Sequence, residues 1–342
     1  MKLATYETIS EILPIEGADR IELARVQGWQ SVIRKGEFKV GDQVIFVPID
    51  TVLTPSAWNQ HLWDKNDPAK PIRLKTVKLR GVVSQGLILR TSLVSAQEIW
   101  DHSDDPEEDT SLAGMLGITK YEKPVPVHLA GQVAGDFPTH LLSRTDEDNL
   151  KSNIQVLEEL RVCSCVASTV KLDGTSATYI KELDGTFRVC SRNLELKDTE
   201  SNAHWQMAHK YNLADKMICG TAIQGEICGP GIQSNPMGLK ELTLFVFNYK
   251  ELDTGKYYHR IPDSVKLDVP EVPIDAHWSQ EAFCQLTVDQ LQEWTNKVFY
   301  ENNKPAEGLV FRGICEQTGE LYHSKKLQKM LSVKIINQNY KD

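Results

Sequence analysis

Val166 to Asn193 reads VASTVKLDGTSATYIKELDGTFRVCSRN. Short apolar runs rich in Val, Thr and Ile mark strands, and Asp184-Gly185 is a hairpin turn that needs the left-handed backbone glycine provides. The first strand runs straight into Lys171-Leu172-Asp173-Gly174. A lysine two residues ahead of an Asp-Gly turn projects its amine from a fixed point. Such an amine becomes a nucleophile only when partly desolvated or surrounded by other charges. Taken alone, the tetrapeptide reads equally as a surface hairpin with a solvated lysine.

Working outward, TAIQGEI, ELTLFVFNYK, EGLVFR and LSVKII read as further strands. A helix is expected to start near Thr145, with Asp148 in the capping-box position and Leu150, Ile154, Leu157 and Leu160 as its apolar stripe. A second helix is expected over 288–299, with Thr287 as N-cap, Gln290 in the box, and Leu291, Trp294 and Val298 facing the core. Strands interspersed with helices, without regular βαβ alternation, indicate an α+β domain over 136–342. Residues 1–100 are β-rich: ADRIELARV, WQSVI, DQVIFVPI and KLRGVVSQGLILR, punctuated by Gly17, Gly36, Gly41, Gly81 and Gly86. Short strands at this spacing predict a small OB-like barrel. The acidic, proline-containing stretch Asp101–Asp109 and the proline-rich segment 121–140 suggest a linker over 101–135.

The 342 residues are 41% hydrophobic and 25% charged, which excludes disordered, collagenous and coiled-coil chains. No apolar run is long enough to span a membrane, the N-terminus lacks a secretory pattern, and the seven cysteines include no CxxC pair. These features predict a cytoplasmic protein, with Cys163 and Cys165 as packing residues. The net charge of −9 argues against a nucleic-acid partner only on average. Residues 1–100 carry 13 Lys and Arg against 11 Asp and Glu. Lys70, Arg73, Lys75, Lys78 and Arg80 fall together in KPIRLKTVKLR with no acid among them. Local positive charge is what a phosphate backbone requires, although basic residues also protect an edge strand.

Walker A and GxGxxG loops are absent. Instead, Lys171-x-Asp173-Gly174 resembles motif I of the covalent nucleotidyltransferases, the polynucleotide ligases and capping enzymes. In the same order follow Cys190-Ser191-Arg192-Asn193 (similar to motif Ia), Gly225 to Gly231 (III), Leu244 to Asn248 (IIIa), Glu307-Gly308-Leu309-Val310-Phe311-Arg312 (IV) and Ser332 to Asn337 (V). The run GIQSNPMGL after motif III, and Phe137-Pro138 followed by Thr145-Asp146-Glu147, resemble RNA ligases in particular. A barrel ahead of the motifs is similar to RNA ligases of the Deinococcus type, and the likeness covers essentially the whole chain.

That resemblance implies an ATP-dependent RNA ligase. Lys171 would take AMP, pass it to a 5′-phosphate, and a 3′-hydroxyl would displace it, sealing nicks in RNA-containing duplexes for RNA repair. It implies Asp173, Glu226 and Glu307 around a divalent metal, Mn²⁺ or Mg²⁺, held more through water than directly. It implies Lys334 on the AMP phosphate and Phe247 on adenine, with Phe245 as the other aromatic on that face. Val170, Gly174 and Arg192 would complete the nucleotide site. Arg192, Ser176 and the Lys70–Arg80 segment would contact nucleic acid, and the protein would act as a monomer. One departure is Ser332, which fills the first lysine position of motif V; Lys325, Lys326 or Lys329 could supply its charge. Two other readings remain open at this stage, a capping-type guanylyltransferase and a catalytically inactive RNA-binding OB protein.

Overall fold

The computed structural model describes residues 3–56, 58–63, 70–94, 108–121 and 131–341. The chain divides into two units, 1–124 with 151–154, and 125–150 with 155–342.

In the first unit a five-stranded antiparallel sheet runs in the order Trp29–Arg34, Ile21–Val26, Thr5–Pro14, Gln43–Val47, Leu87–Arg90. Thr5–Pro14 makes it curl. Its first half pairs with Gln43–Val47, its second with Ile21–Val26, and a bulge between Ile9 and Glu11 bends it where it changes partner. The interior is filled by Ile9, Val26, Trp29, Ile33, Val44 and Phe46. Thr5–Pro14 was not evident as a strand because only Ile9 of its ten residues is buried, so no alternation shows.

The segment expected as a linker is partly structured. Glu108–Met115 is a helix and Ile118–Lys120 a strand paired antiparallel with Thr51–Leu53. Leu112, Leu116 and Ile118 are buried beside Ile45, Val47 and Leu53. The acidic run hid the apolar residues that follow it. Asp101 to Glu107 lie outside the described residues.

The second unit is built on two sheets. One has seven strands, centred on Thr175–Lys181, Thr221–Cys228 and Thr243–Glu251; the other has five, centred on Cys165–Lys171, Gly308–Ile314 and Ser332–Ile336. Cys165, Ala167 and Ile314 of one sheet share a buried cluster with Ile180, Cys190 and Ala222 of the other, so the sheets face each other. The outer face of the seven-stranded sheet packs Ala177, Tyr179, Ile223 and Val246 against Met207, Ala208 and Leu213 of two helices. The outer face of the five-stranded sheet packs Leu309, Phe311, Val333 and Ile335 against Leu157, Leu160, Phe283 and Leu291 of others. Strand periodicity then turns the intervening residues inward. Lys171, Ser176, Glu226, Phe247, Arg312 and Lys334 all alternate with outward-packed neighbours, so each belongs to the face between the sheets.

Two local expectations need correction. Thr145 caps no helix. Asp148–Asn149 instead pairs parallel to Ser332–Ile336, and the helix begins only at Val156. Lys329 grips Asp148 at 2.9 Å and Thr145 bonds Ser176 at 2.6 Å, tethers that hold the segment outside helical geometry. Ile154 is correspondingly exposed, unlike Leu150, Leu157 and Leu160. The second helix, Val288–Thr295, carries the expected Thr287–Gln290 capping box. Its Trp294, however, is 44% exposed and donates its indole N–H to Asp275, while Leu291 and Thr295 face inward.

Candidate active site

Lys171 is the last residue of its strand, and its backbone partner on the neighbouring strand is Gly308. That register puts Glu307 beside it, with Nζ 2.7 Å from Glu307 Oε2. From the opposite sheet, Glu226 sits in register with Ser176. Glycine is required where the two meet. A Cβ on Gly174 would stand 2.3 Å from the carbonyl oxygen of Ile227 and 2.9 Å from Glu226 Cγ. The turn after Lys171 can therefore press against the Thr221–Cys228 strand only without a side chain.

The carboxylates govern the lysine. Burial alone would push its amine down, but Glu307, Glu226 and Asp173 outweigh that and hold it above its ordinary value. In this state the amine is an ammonium and not a nucleophile. Burial pushes Glu226 up to about 8, with Glu307 and Asp173 adding to the rise and Lys171 opposing it. Three carboxyl groups crowd one amine, and oxygen donors of this kind suit a hard divalent ion. Among the described residues no three His, Cys, Asp or Glu side chains are arranged to coordinate a metal directly.

An apolar floor adjoins these charges. Leu172, Cys228, Val272, Tyr300 and Ala306 are buried there, with Val170, Phe245 and Phe247 against them. Phe247 and Phe245 therefore share a face, as their spacing predicts. Arg312, 2% exposed, lies 5.4 Å from the Phe247 ring centroid and donates to the Phe247 carbonyl at 2.5 Å and to Asn248 Oδ1 at 3.2 Å. Lys334 pairs with Val310 on one side and Asn149 on the other. Ser332 is buried opposite Arg312. Of the lysines considered for its missing charge, Lys325 and Lys326 are exposed, and Lys329 bonds Asp148 and the carbonyl of Asp146. Arg192 is paired with Asp146.

Three residues here carried no assignment from sequence. Arg312 lay inside a quoted motif, where a charged residue on an inward strand position was the available signal. Tyr300 and Tyr340 belong to no motif. Tyr340 donates its hydroxyl to Asp173 Oδ2 at 2.5 Å, and Tyr300 bonds the backbone around Lys171.

In the first unit the basic segment is uneven. Lys70, Lys75, Lys78 and Arg80 are exposed, and Lys78 sits on the hairpin of Val77–Leu79 with Val82–Ser84. Arg73 instead pairs with Asp50 at 2.7 Å and stacks on Tyr121.

Two known families match the chain, one in each unit. An OB-fold domain family matches residues 3–91, and the RNA ligase family matches residues 165–327. The structure of a Naegleria gruberi RNA ligase with PPi superposes with a TM-score of 0.80 at 31% identity, covering 98% of this chain and 97% of that one. This chain belongs to the RNA ligases. A variant of the Naegleria enzyme with AMP and Mn gives a TM-score of 0.79 at 31% identity, over 98% of this chain and 97% of that chain. Another, with ATP and Mn, gives 0.77 at 30% identity over the same shares. A search of curated proteins finds no match. The fold of this RNA ligase is thus an N-terminal OB domain and a C-terminal ligase domain on antiparallel sheets.

Proposed function

We propose that this RNA ligase is ATP-dependent and seals 3′-OH/5′-phosphate breaks, in duplexes with RNA on the 3′-hydroxyl side, as in RNA repair. The observation that carries the reading is Lys171 Nζ, 2.7 Å from Glu307, facing Glu226 and the Asp173 turn at the mouth of two sheets. In the first step Lys171 gives up its proton and attacks the α-phosphorus of ATP, forming a phosphoramidate to AMP as pyrophosphate leaves. The 5′-phosphate of a strand then displaces the lysine and takes the AMP. Finally the 3′-hydroxyl attacks that phosphate, AMP departs, and a phosphodiester remains.

Each step gathers negative charge on phosphorus, so cations and alignment do most of the catalysis. Lys334 supplies one cation. Mn²⁺ or Mg²⁺ held by Asp173, Glu226 and Glu307 through water would supply another and would favour the unprotonated Lys171 amine. Phe247 stacks on adenine, its ring backed by Arg312, with Val170 and Gly174 lining the base and sugar. Arg192 and Ser176 contact the strand ends. The OB domain, through Lys70, Lys75, Lys78 and Arg80, holds the nucleic acid backbone.

Incubation with α-labelled ATP and metal is expected to label the wild-type chain and leave Lys171→Ala unlabelled. A labelled Lys171→Ala chain would remove Lys171 as the nucleophile. A gel of all-RNA, RNA-at-3′-OH and all-DNA nicked duplexes then tests the substrate, with the RNA-at-3′-OH nick sealed and the all-DNA nick left open.

A further inference from the structure

Two tyrosine hydroxyls tie together the backbone on which the reacting groups are mounted. The Tyr300 hydroxyl accepts the backbone N–H of Asp173 at 3.2 Å and that of Glu307 at 3.2 Å, and donates to the carbonyl of Lys171 at 3.3 Å. One proton and two lone pairs are all a phenol offers, and all three are committed. The ring cannot swing away, because Tyr300 is 5% exposed and packed among Leu172, Cys228, Val272 and Ala306. One hydroxyl thus joins the residue bearing the amine, the following Asp and the Glu of the neighbouring strand.

Tyr340 completes the arrangement. Its hydroxyl donates to Asp173 Oδ2 at 2.5 Å, which fixes the rotation of that carboxylate. Its own backbone N–H bonds the carbonyl of Asn337, and the N–H of Asn337 bonds the carbonyl of Glu307 at 2.9 Å. Both tyrosines therefore link Asp173 to Glu307, one through backbone and one through side chain.

We propose that Tyr300 and Tyr340 are positioning residues for nucleotidyl transfer, holding Lys171, Asp173 and Glu307 at the spacing that in-line attack on phosphorus requires. The proposal rests on Lys171 being the nucleophile. Tyr300→Phe keeps the ring and its packing but takes the hydroxyl from three backbone groups, at Lys171, Asp173 and Glu307. Tyr340→Phe removes one of the hydrogen bonds that orient the Asp173 carboxylate. Neither change removes a group that touches the nucleotide phosphorus, so ATP binding is retained while alignment is lost.

The test is single-turnover formation of the Lys171–AMP adduct by the full chain over a range of ATP concentrations. Small misplacements of reacting groups slow chemistry steeply, so the rate constant at saturating ATP is expected to fall about tenfold or more in each variant, with half-saturating ATP and final adduct within about twofold of wild type. Wild-type rate constants in both variants would overturn the proposal. So would a loss seen only as less adduct formed at an unchanged rate, which reports misfolding. If Tyr300→Phe does not fold, Tyr340→Phe decides alone, since its side chain is only half-buried. A wild-type chain that forms no adduct removes the nucleophile and this proposal together; normal wild-type adduct with unaffected variants removes this proposal only.

Discussion

Burial and the neighbouring carboxylates Glu307 and Asp173 push Glu226 up to about 8, against an ordinary 4.5, although Lys171 pulls the other way. A carboxyl raised in the folded state favours folding below its unfolded value, and that contribution is lost as pH rises through the folded one. Without added divalent metal, the melting temperature is therefore expected to fall between pH 5 and pH 8.5, and Glu226→Gln should flatten that slope. An equal slope in both proteins, measured by thermal denaturation, would place the titration elsewhere. Arg312 is the second residue of this kind. Its guanidinium is almost wholly enclosed and holds the Phe247 carbonyl, Asn248 and, at 3.7 Å, Glu147. Removing it leaves the Phe247 carbonyl and Asn248 Oδ1 without that donor, at about 1–3 kcal/mol for each acceptor left unsatisfied. Arg312→Ala should accordingly show a large drop in denaturation midpoint; a change near zero would mean that water replaces the lost donor.

At the scale of elements, Gly308 makes the closest backbone approach of the described glycines in the ligase domain. A Cβ there would stand 2.1 Å from the carbonyl oxygen of Ile335, a backbone atom that cannot rotate away. Gly308→Ala must push the Ser332–Ile336 strand aside, and overpacking of this sort costs about 1–3 kcal/mol. It should lower the melting temperature and slow adduct formation together, because Glu307 is the preceding residue. The capping box of Val288–Thr295 is a milder case. Thr287→Ala should cost about 1 kcal/mol, read by chemical denaturation, with adduct formation unchanged. Elements were legible wherever a single signal dominated. The strand after Cys165, the Asp184-Gly185 turn and the Thr287 cap have their cause within a few residues. The segment from Thr145 was not legible, because its apolar spacing matches a helix while its side chains are held by Lys329 and Ser176, far away in sequence.

Over the whole molecule, charge is divided unevenly, with a slight basic excess in 1–100 and an acidic excess beyond it. Lys75, Lys78 and Arg80 are exposed on the OB domain. Substituting all three by Ala should spare the Lys171–AMP adduct and weaken binding of nicked RNA, reducing the salt dependence of that binding by roughly one log–log slope unit per lost phosphate contact. Unchanged binding at all salt concentrations would exclude this surface. Arg73 belongs with the scaffold of that domain, since Asp50 and Tyr121 already hold it. Among the described residues, no helix is long and apolar enough to cross a membrane.

The order of short motifs, the lysine ahead of an Asp-Gly turn, and the period-two spacing that puts Phe245 and Phe247 on one face were determined by the sequence alone. Each depends on chemical identity at fixed spacing along the chain. Tertiary structure alone decided what the reacting groups lean on. Tyr300 reaches Lys171 across 129 positions of chain, Tyr340 reaches Asp173 across 167, and Arg312 reaches Phe247 across 65. A hydroxyl or guanidinium acquires such a partner only when two sheets have closed over it, and no local pattern records where that closure will fall.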